Sequence, residues 1–290
     1  MIQKLILGTA QLGLDYGINN QKGKPSLEKS FEILDNAFDS GIETLDTALG
    51  YGDSHTVIGK YHRRNPQKRF KVITKFGSYT GHTEFLEDIN KSCLEIGVKQ
   101  LLGTLFHDIE GFRAYSKSIL TSEIAQLEKK CGAVGVSVYT NEEIEELLTF
   151  EVIPKIVQIP FNVLDNATQK GDLIKRLKEK GIIIHSRSAF LQGLFFMEEN
   201  KIPSKLKSLS SVIKNLKEAA TSEGVSWESY LFNYPLSKRY IDGCIFGVEN
   251  ESQVLANVQL LDTKSINYQF CETILVDSDL LNPSKWKIQK

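Results

Sequence analysis

Eight short apolar runs alternate with amphipathic, helix-like segments along the 290-residue chain. The runs that we predict to be strands are residues 5–7, 43–45, 71–74, 102–106, 133–136, 156–159, 182–185 and 241–246. Because strands that alternate with helices pair in parallel, the pattern restricts the chain to an α/β fold. Eight units match a (β/α)8 TIM barrel, which typically has about 250 residues. A doubly wound sheet uses the same alternation and is the main alternative.

The helix-like segments carry their own start and stop signals. In residues 26–41, for example, Ser26 is placed to cap a helix and Gly41 to end it. No proline- or serine-rich linker and no shift in composition divides the chain. We therefore predict a single domain over residues 1–290, with a tail from about residue 263 that packs over or beside the barrel mouth.

The composition argues against several classes of protein. With 41% hydrophobic residues, 24% charged residues and a net charge of −1, the chain has no electrostatic footprint for nucleic acid or an anionic membrane. No apolar run approaches the roughly 20 residues that span a bilayer, and the N-terminus lacks the apolar region of a signal peptide. The four cysteines lie far apart without a C-x-x-C pair, which predicts reduced thiols in the cytoplasm rather than a zinc site or disulfides.

Polar side chains stand at the ends of successive predicted strands. They are Asp46, Lys75, His107, Ser137 and Gln158, and the seventh strand runs into the sequence HSRSAFLQG. The active sites of TIM barrels form at the C-terminal ends of their strands. A single residue of this kind is usually a solvated or half-buried side chain, but six successive strands that end this way indicate a site.

These residues have the chemistry needed to reduce a carbonyl group. Tyr51, which lies between two glycines five residues after Asp46, is a phenol that holds its proton at neutral pH. An ammonium group such as that of Lys75 lowers the pKa of a nearby phenol, and a carboxylate beside it keeps the ammonium charged. His107 can donate a hydrogen bond to a carbonyl oxygen. Because no side chain delivers hydride, a nicotinamide cofactor is implied.

The chain resembles the aldo-keto reductases over nearly its whole length. The stretches that carry the resemblance are LDTALGYGDS, ITKFG, LFHD, GVSVYT, VQIPFN, RSAFLQGLF and FGVENESQVLAN, in this order along the chain. Any one of them alone is a weak signal, but the ordered set on successive strands is specific. The resemblance implies NAD(P)H-dependent reduction of an aldehyde or ketone to an alcohol, with a sugar-derived carbonyl as one candidate substrate.

The resemblance also implies a role for individual residues. Its catalytic tetrad is Asp46, Tyr51, Lys75 and His107, with Tyr51 as the acid, and no metal takes part. Ser137 and Gln158 hold the nicotinamide carboxamide. The full set that we expect to bind the cofactor is Thr9, Asp46, Ser137, Gln158, Arg187, Ser188, Phe190, Gln192, Gly193, Phe246, Gly247, Val248, Asn250, Gln253 and Asn257.

Three departures from the family pattern concern the cofactor and substrate rather than the tetrad. Val138 replaces the asparagine that usually follows the fifth-strand serine. His55 stands where the family has glutamate, and we expect it to be a surface residue in the first turn of a helix. Arg187 occupies the position of an aromatic ring that usually stacks on the nicotinamide. A guanidinium plane can stack as well, and the alternative is that it contacts an anionic substrate.

The segment FGVENESQVLAN bears on the choice between NADP and NAD. Many family members have a lysine or arginine in this segment that pairs with the 2′-phosphate of NADP. In this chain the matching positions are Gly247 and Gln253, which are uncharged, and Glu249 and Glu251 add negative charge nearby. Some members with a glutamine at this position still prefer NADP, through amide and backbone donors. We predict a modest preference for NADPH, with NAD as the alternative.

Four other functions were compared with the reductase. The stretch GYGDSH lacks the third glycine of a dinucleotide-binding loop, and five histidines without an H-x-H pair do not suit a metal-dependent hydrolase. A Schiff-base aldolase would need Lys75 as a nucleophile, although Asp46 would keep its amine protonated. A regulatory subunit that binds the cofactor on a reductase scaffold stays open. The partner that we predict is a small-molecule carbonyl compound; the sequence identifies no protein partner.

Overall fold

The chain folds as a closed barrel of parallel strands in a computed structural model that describes residues 1–77, 82–118, 129, 131–261 and 265–286. The strands are β1 (Leu5–Gly8), β2 (Thr44–Asp46), β3 (Lys71–Phe76), β4 (Gly103–Phe106), β5 (Ala133–Ser137), β6 (Ile156–Pro160), β7 (Ile183–Arg187) and β8 (Gly243–Gly247). Each strand pairs with the next in chain order, and β8 pairs with β1. The predicted (β/α)8 TIM barrel is confirmed, and the doubly wound sheet is excluded.

Helices surround the barrel and follow its strands. They are α1 (Ala10–Gly13), α2 (Leu27–Asp39), α3 (Ser54–Arg64), α4 (His82–Ile96), α5 (Ile109–Ser118), α6 (Asn141–Leu147), α7 (Ala167–Glu179), α8 (Leu209–Ser222), α9 (Trp227–Ser237), α10 (Glu251–Gln259), α11 (Gln269–Glu272) and α12 (Ser278–Leu281). The predicted ends of α2 are confirmed, because the Ser26 side chain accepts a hydrogen bond from Lys29 N and Gly41 has a φ of +87°. Within the described ranges, no helix is both long and apolar enough to cross a membrane.

The inside of the barrel has an apolar layer beneath the polar strand ends. Ile73, Leu105 and Ile156 form a buried cluster that is separate from the main core between strands and helices. Side chains alternate between the two faces of a strand, so Ile73 lies on the same face of β3 as Lys75. This apolar layer excludes water from the barrel interior beneath the strand ends. The charged side chains at the strand ends, such as Lys75, therefore lie in surroundings of low polarity.

The described part of the C-terminal tail packs at the mouth end of the barrel. The Asn166 side chain, which caps α7 just after β6, donates hydrogen bonds to the carbonyl oxygens of Cys271 and Ile274. Pro283 and Ser284 line the cavity at the strand ends. Residues 263–264, where we placed the start of the tail, and the last four residues lie outside the described part of the chain. The domain limits therefore stay a prediction.

Candidate active site

A cavity of about 890 Å³ opens at the C-terminal ends of the strands. Sixteen of the predicted site residues line it, which are Thr9, Asp46, Tyr51, Lys75, His107, Ser137, Arg187, Ser188, Phe190, Gln192, Gly193, Phe246, Gly247, Val248, Gln253 and Asn257. Two do not reach the cavity wall. Gln158 lies buried behind Asp46, and Asn250 caps α10.

Asp46 and Lys75 form a buried ion pair at the ends of β2 and β3. Their side chains are only 4% and 3% exposed. The Lys75 ammonium also donates to the carbonyl oxygen of Thr47 at 3.1 Å, and the Gln158 amide donates to the second carboxylate oxygen of Asp46. Both charged groups are therefore fixed in position by several hydrogen bonds, which a buried ion pair needs if it is to offset its desolvation.

Tyr51 is held against this ion pair by a tight turn between β2 and α3. Its backbone N–H donates to Ala48 O at 3.0 Å. Gly52 has a φ of +53°, and a Cβ at this residue would lie 2.3 Å from the carbonyl oxygen of Gly13. The second of the two glycines is therefore required by close backbone contact with α1, whereas a Cβ at Gly50 would meet nothing within 4 Å.

The phenol of Tyr51 lies between a cation and an imidazole. The Lys75 Nζ is 5.3 Å from the centroid of the Tyr51 ring. The rings of Tyr51 and His107 are 6.2 Å apart between centroids and nearly perpendicular, at 86°. A carbonyl oxygen that enters this corner of the cavity can meet a hydroxyl donor and an imidazole donor together.

The protonation states of these groups follow from their burial. Burial raises the pKa of Tyr51 well above its ordinary value, and the charge of Asp46 raises it further, while Arg187 lowers it. The nearby ammonium of Lys75 therefore does not bring the pKa of Tyr51 below its ordinary value in the free protein, because desolvation of the phenolate dominates. Burial, with Lys75 and Arg187 nearby, lowers the pKa of His107, so its imidazole is neutral at pH 7.

One buried polar atom beside the tetrad has no partner. The side-chain oxygen of Gln158 is fully buried and accepts no hydrogen bond from the described residues, while its amide nitrogen donates to Asp46. Ser137 lines the cavity next to it, since β5 and β6 pair Ser137 with Gln158. An unpartnered acceptor of this kind fits a ligand amide N–H₂, such as the carboxamide of nicotinamide.

The loop after β7 forms another wall and has unusual backbone geometry. Ser188, Leu191 and Gln192 have φ values of +65°, +44° and +53°, although none is glycine. The side chain of Gln192 reaches across to the loop after β1 and donates to the Tyr16 hydroxyl at 3.1 Å. Residues held in this region of backbone space cluster at ligand sites.

The N-terminus of α10 lies at the cavity edge, and its donors are partly occupied. The Asn250 side chain accepts from Gln253 N at 3.0 Å, and the Gln253 side chain accepts from Glu249 N at 2.7 Å. Lys29 of α2 comes within 3.7 Å of Glu251, which brings a cation to a segment that itself contains acids and amides. No local pattern could predict the contact of Lys29 with α10, because Lys29 lies more than 200 positions before Glu251.

Two further residues, His55 and Tyr139, were assigned wrongly or overlooked. His55 is not on the surface: it is 3% exposed, and its Nε2 lies 2.9 Å from the Thr74 hydroxyl behind β3. Tyr16 and Tyr139 both line the cavity. Tyr139 could have been found from strand alternation, because it lies two residues after Ser137 and so on the same face. Within the described ranges, no group of three or more metal-ligating side chains is present.

Known proteins are similar to this chain in family pattern and in fold. A model of the aldo/keto reductase family matches residues 4–274. A sequence comparison with curated proteins gives no significant match. Among solved structures, the chain is similar to the aldo-keto reductase AKR11C1 from Bacillus halodurans in its holo form, with a TM-score of 0.71 and 19% identity, covering 93% of this chain and 91% of that one. It is also similar to the glycerol dehydrogenase AKR11B4 from Gluconobacter oxydans, with a TM-score of 0.67 and 17% identity. That match covers 99% of this chain and 95% of the dehydrogenase chain. At these identities, the two structures support the fold alone.

Proposed function

The chain belongs to the aldo/keto reductase family, and on that basis we propose that it reduces the carbonyl group of an aldehyde or ketone to an alcohol. The observation that carries the proposal is the convergence of a hydroxyl donor, a buried ion pair and a neutral imidazole on one corner of the cavity. Tyr51, Lys75 with Asp46, and His107 supply these groups. A sugar-derived carbonyl is one candidate, since both aromatic and polar side chains line the cavity.

Tyr51 is the group that transfers the proton. Its raised pKa keeps the hydroxyl protonated before reaction, so the proton is available for the substrate oxygen. Once that proton has left, the phenolate is a buried anion, and the ammonium of Lys75 is the nearby positive charge that stabilises it. Asp46 holds the ammonium in place through their ion pair.

His107 orients the substrate. Because its pKa is lowered, the imidazole is neutral and has one N–H to donate to the carbonyl oxygen. A neutral donor polarises the carbonyl without competing with Tyr51 for the role of acid. The same corner of the cavity thus fixes the oxygen and supplies its proton.

A nicotinamide cofactor fits the residues beside the tetrad and at the N-terminus of α10. When bound, its reduced form supplies the hydride. The unpartnered oxygen of Gln158 and the hydroxyl of Ser137 would hold the carboxamide. The N-terminal end of α10 would hold phosphate, since backbone N–H groups and the helix dipole favour anions there. Val138 has no side-chain donor, so one hydrogen bond usual in the family is absent.

We propose NADPH rather than NADH as the preferred cofactor. The preference should be below roughly 100-fold, because no lysine or arginine of the α10 segment pairs with a 2′-phosphate. Asn250, Gln253 and Lys29 are the local groups that support it. A cytoplasmic location is likewise a proposal, in keeping with four cysteines that form no disulfide.

The test is a fluorescence titration of the protein with NADPH and NADH, followed by a panel of carbonyl compounds with the cofactor that binds more tightly. We expect micromolar or tighter binding and cofactor consumption that depends on the carbonyl compound. Tight cofactor binding without turnover of any carbonyl compound would instead favour the regulatory subunit. An absence of cofactor binding would contradict the proposal altogether.

A further inference from the structure

The guanidinium of Arg187 is fixed at the cavity wall rather than free to swing. Its carbon lies 4.0 Å from the centroid of the Tyr139 ring, and one of its N–H groups donates to Val138 O at 3.1 Å. A planar guanidinium stacked on an aromatic ring loses little further freedom when it binds a ligand. Arg187 is therefore prepared to bind before the ligand arrives.

The backbone of Tyr139, whose ring lies under Arg187, is itself fixed by two hydrogen bonds. The backbone N–H of Tyr139 donates to the Glu143 carboxylate, and its carbonyl oxygen accepts from Lys170 at 3.2 Å. Lys170 forms a buried ion pair with Asp165 at 2.6 Å. This second buried ion pair lies outside the tetrad, and its contact with Tyr139 stabilises the support on which Arg187 rests.

The charge of Arg187 is not neutralised by the protein. Lys75, the other cation that lines the cavity, is paired with Asp46. In contrast, no ion pair among the described residues includes Arg187, and Val138 O is its one hydrogen-bond acceptor in that part of the chain. A guanidinium has five N–H donors in a flat fork that matches a carboxylate. The guanidinium of Arg187 is thus a positive charge at the cavity wall that no described carboxylate pairs with directly.

We propose that Arg187 selects substrates that carry a carboxylate in addition to the carbonyl group that is reduced. The inference rests on the proposed reductase function and names its substrate class. The carboxylate binds the guanidinium while the carbonyl oxygen lies at Tyr51 and His107. Arg187, Tyr51 and His107 line the same cavity of about 890 Å³, so one small molecule can contact the guanidinium and the tetrad together.

A single negative charge suits this wall better than two. Arg187 supplies one positive charge, and the other carboxylates that line the cavity, Glu228 and Glu249, are negative. A phosphate dianion would need a second cation, and Lys75 is already paired. The structure therefore favours a carboxylate over a phosphate ester.

The test uses two aldehydes of the same shape, 4-carboxybenzaldehyde and 4-nitrobenzaldehyde, which differ in charge. For each protein we would measure the ratio of kcat/KM for the carboxylate to kcat/KM for the nitro compound, with saturating cofactor. We expect Arg187→Met to lower this ratio by at least tenfold and Arg187→Lys to lower it less. Benzoate should inhibit the wild-type holoenzyme competitively against the nitro compound, with a Ki that rises in Arg187→Met.

The control is Arg176→Gln, which removes the same charge from an exposed position on α7 and should leave the ratio unchanged. An equal loss for both aldehydes in Arg187→Met, with an unchanged Ki for benzoate, would overturn the carboxylate site and indicate that Arg187 serves the cofactor. In that case the reductase proposal would stand. If the wild-type protein reduced neither these aldehydes nor others in the panel, the proposed function itself would fail.

Discussion

At the scale of single residues, the site depends on charges buried together. Asp46 and Lys75 were predicted from the sequence to lie together, because polar residues at the ends of apolar strands are unusual and the barrel brings those ends together. The protonation state of Tyr51 was not predictable, because it depends on how deeply the phenol is buried. His55 was misplaced for a similar reason: its helix position was correct, but which face packs on β3 depends on the tertiary fold.

Replacement of Tyr51 tests the assignment of the acid. We expect Tyr51→Phe to lower kcat by about 10²- to 10⁴-fold, the usual contribution of a general acid, while the Kd for NADPH stays within a factor of three. The matched control is Tyr61→Phe, which removes the hydroxyl of a tyrosine bonded to Asp35 away from the cavity and should leave kcat unchanged. Near-normal turnover in Tyr51→Phe would rule out this tyrosine as the proton donor.

Replacement of Lys75 separates a reductase from an aldolase. Lys75→Met removes the cation that stabilises the Tyr51 phenolate, so we expect kcat to fall nearly as far as in Tyr51→Phe. The substitution also leaves Asp46 as a buried, unpaired charge. Stability should fall by about 3 kcal/mol, which a urea titration would show. Because an aldolase would also lose activity, borohydride trapping of the wild-type protein is the deciding measurement. A carbonyl adduct at Lys75, formed without nicotinamide, would contradict the ion pair's proposed role.

At the scale of elements, the strands were predictable and the segment between β7 and β8 was not. The strand bounds agree with the predicted runs to within two residues, because each apolar run is buried and bounded by polar or glycine residues. Residues 188–242 contain three short 3₁₀ helices and the two α-helices α8 and α9, and α9 contains Pro235. Proline and positive φ values break the usual periodicities, so hydrophobic periodicity did not predict the backbone of residues 188–193, although the family resemblance placed Ser188, Phe190, Gln192 and Gly193 at the site.

Contact between α2 and α10 leads to a prediction about cofactor preference. Lys29 lies 3.7 Å from Glu251 at the start of α10, where we place the 2′-phosphate. Lys29→Gln should lower the ratio of NADH Kd to NADPH Kd by roughly two- to fivefold, the effect of about 0.5–1 kcal/mol for an exposed charge. Lys175→Gln, on an exposed face of α7, is the control and should not change the ratio. Equal or tighter binding of NADH to the wild-type protein at low salt would show that the acidic residues of α10 dominate.

At the scale of the whole molecule, the barrel interior contains a histidine that the proposed reaction does not use. His185 lies on β7 and is 7% exposed, and its Nδ1 has no hydrogen-bond partner among the described residues. A Cβ at Gly243 on the neighbouring strand would come within 2.7 Å of its ring, so the imidazole fills the space that this glycine leaves. Burial lowers the pKa of His185 to about 4 from an ordinary value of 6.5.

This lowered pKa makes the stability of the whole barrel sensitive to acid. Between pH 6.5 and pH 4 the unfolded chain binds a proton at His185 that the folded chain does not, so the contribution of His185 is complete above pH 6.5 and is lost as the pH falls. At pH 5 the loss relative to pH 7 is about 2 kcal/mol.

We expect His185→Leu to reduce the fall in unfolding free energy between pH 7 and pH 5, measured by urea titration, by this amount. Ile184→Val, a buried neighbour on the same strand, should lower stability equally at both pH values. If His185→Leu lost as much stability on acidification as the wild type, the acid sensitivity would have to arise from other buried groups, such as His55 and His62.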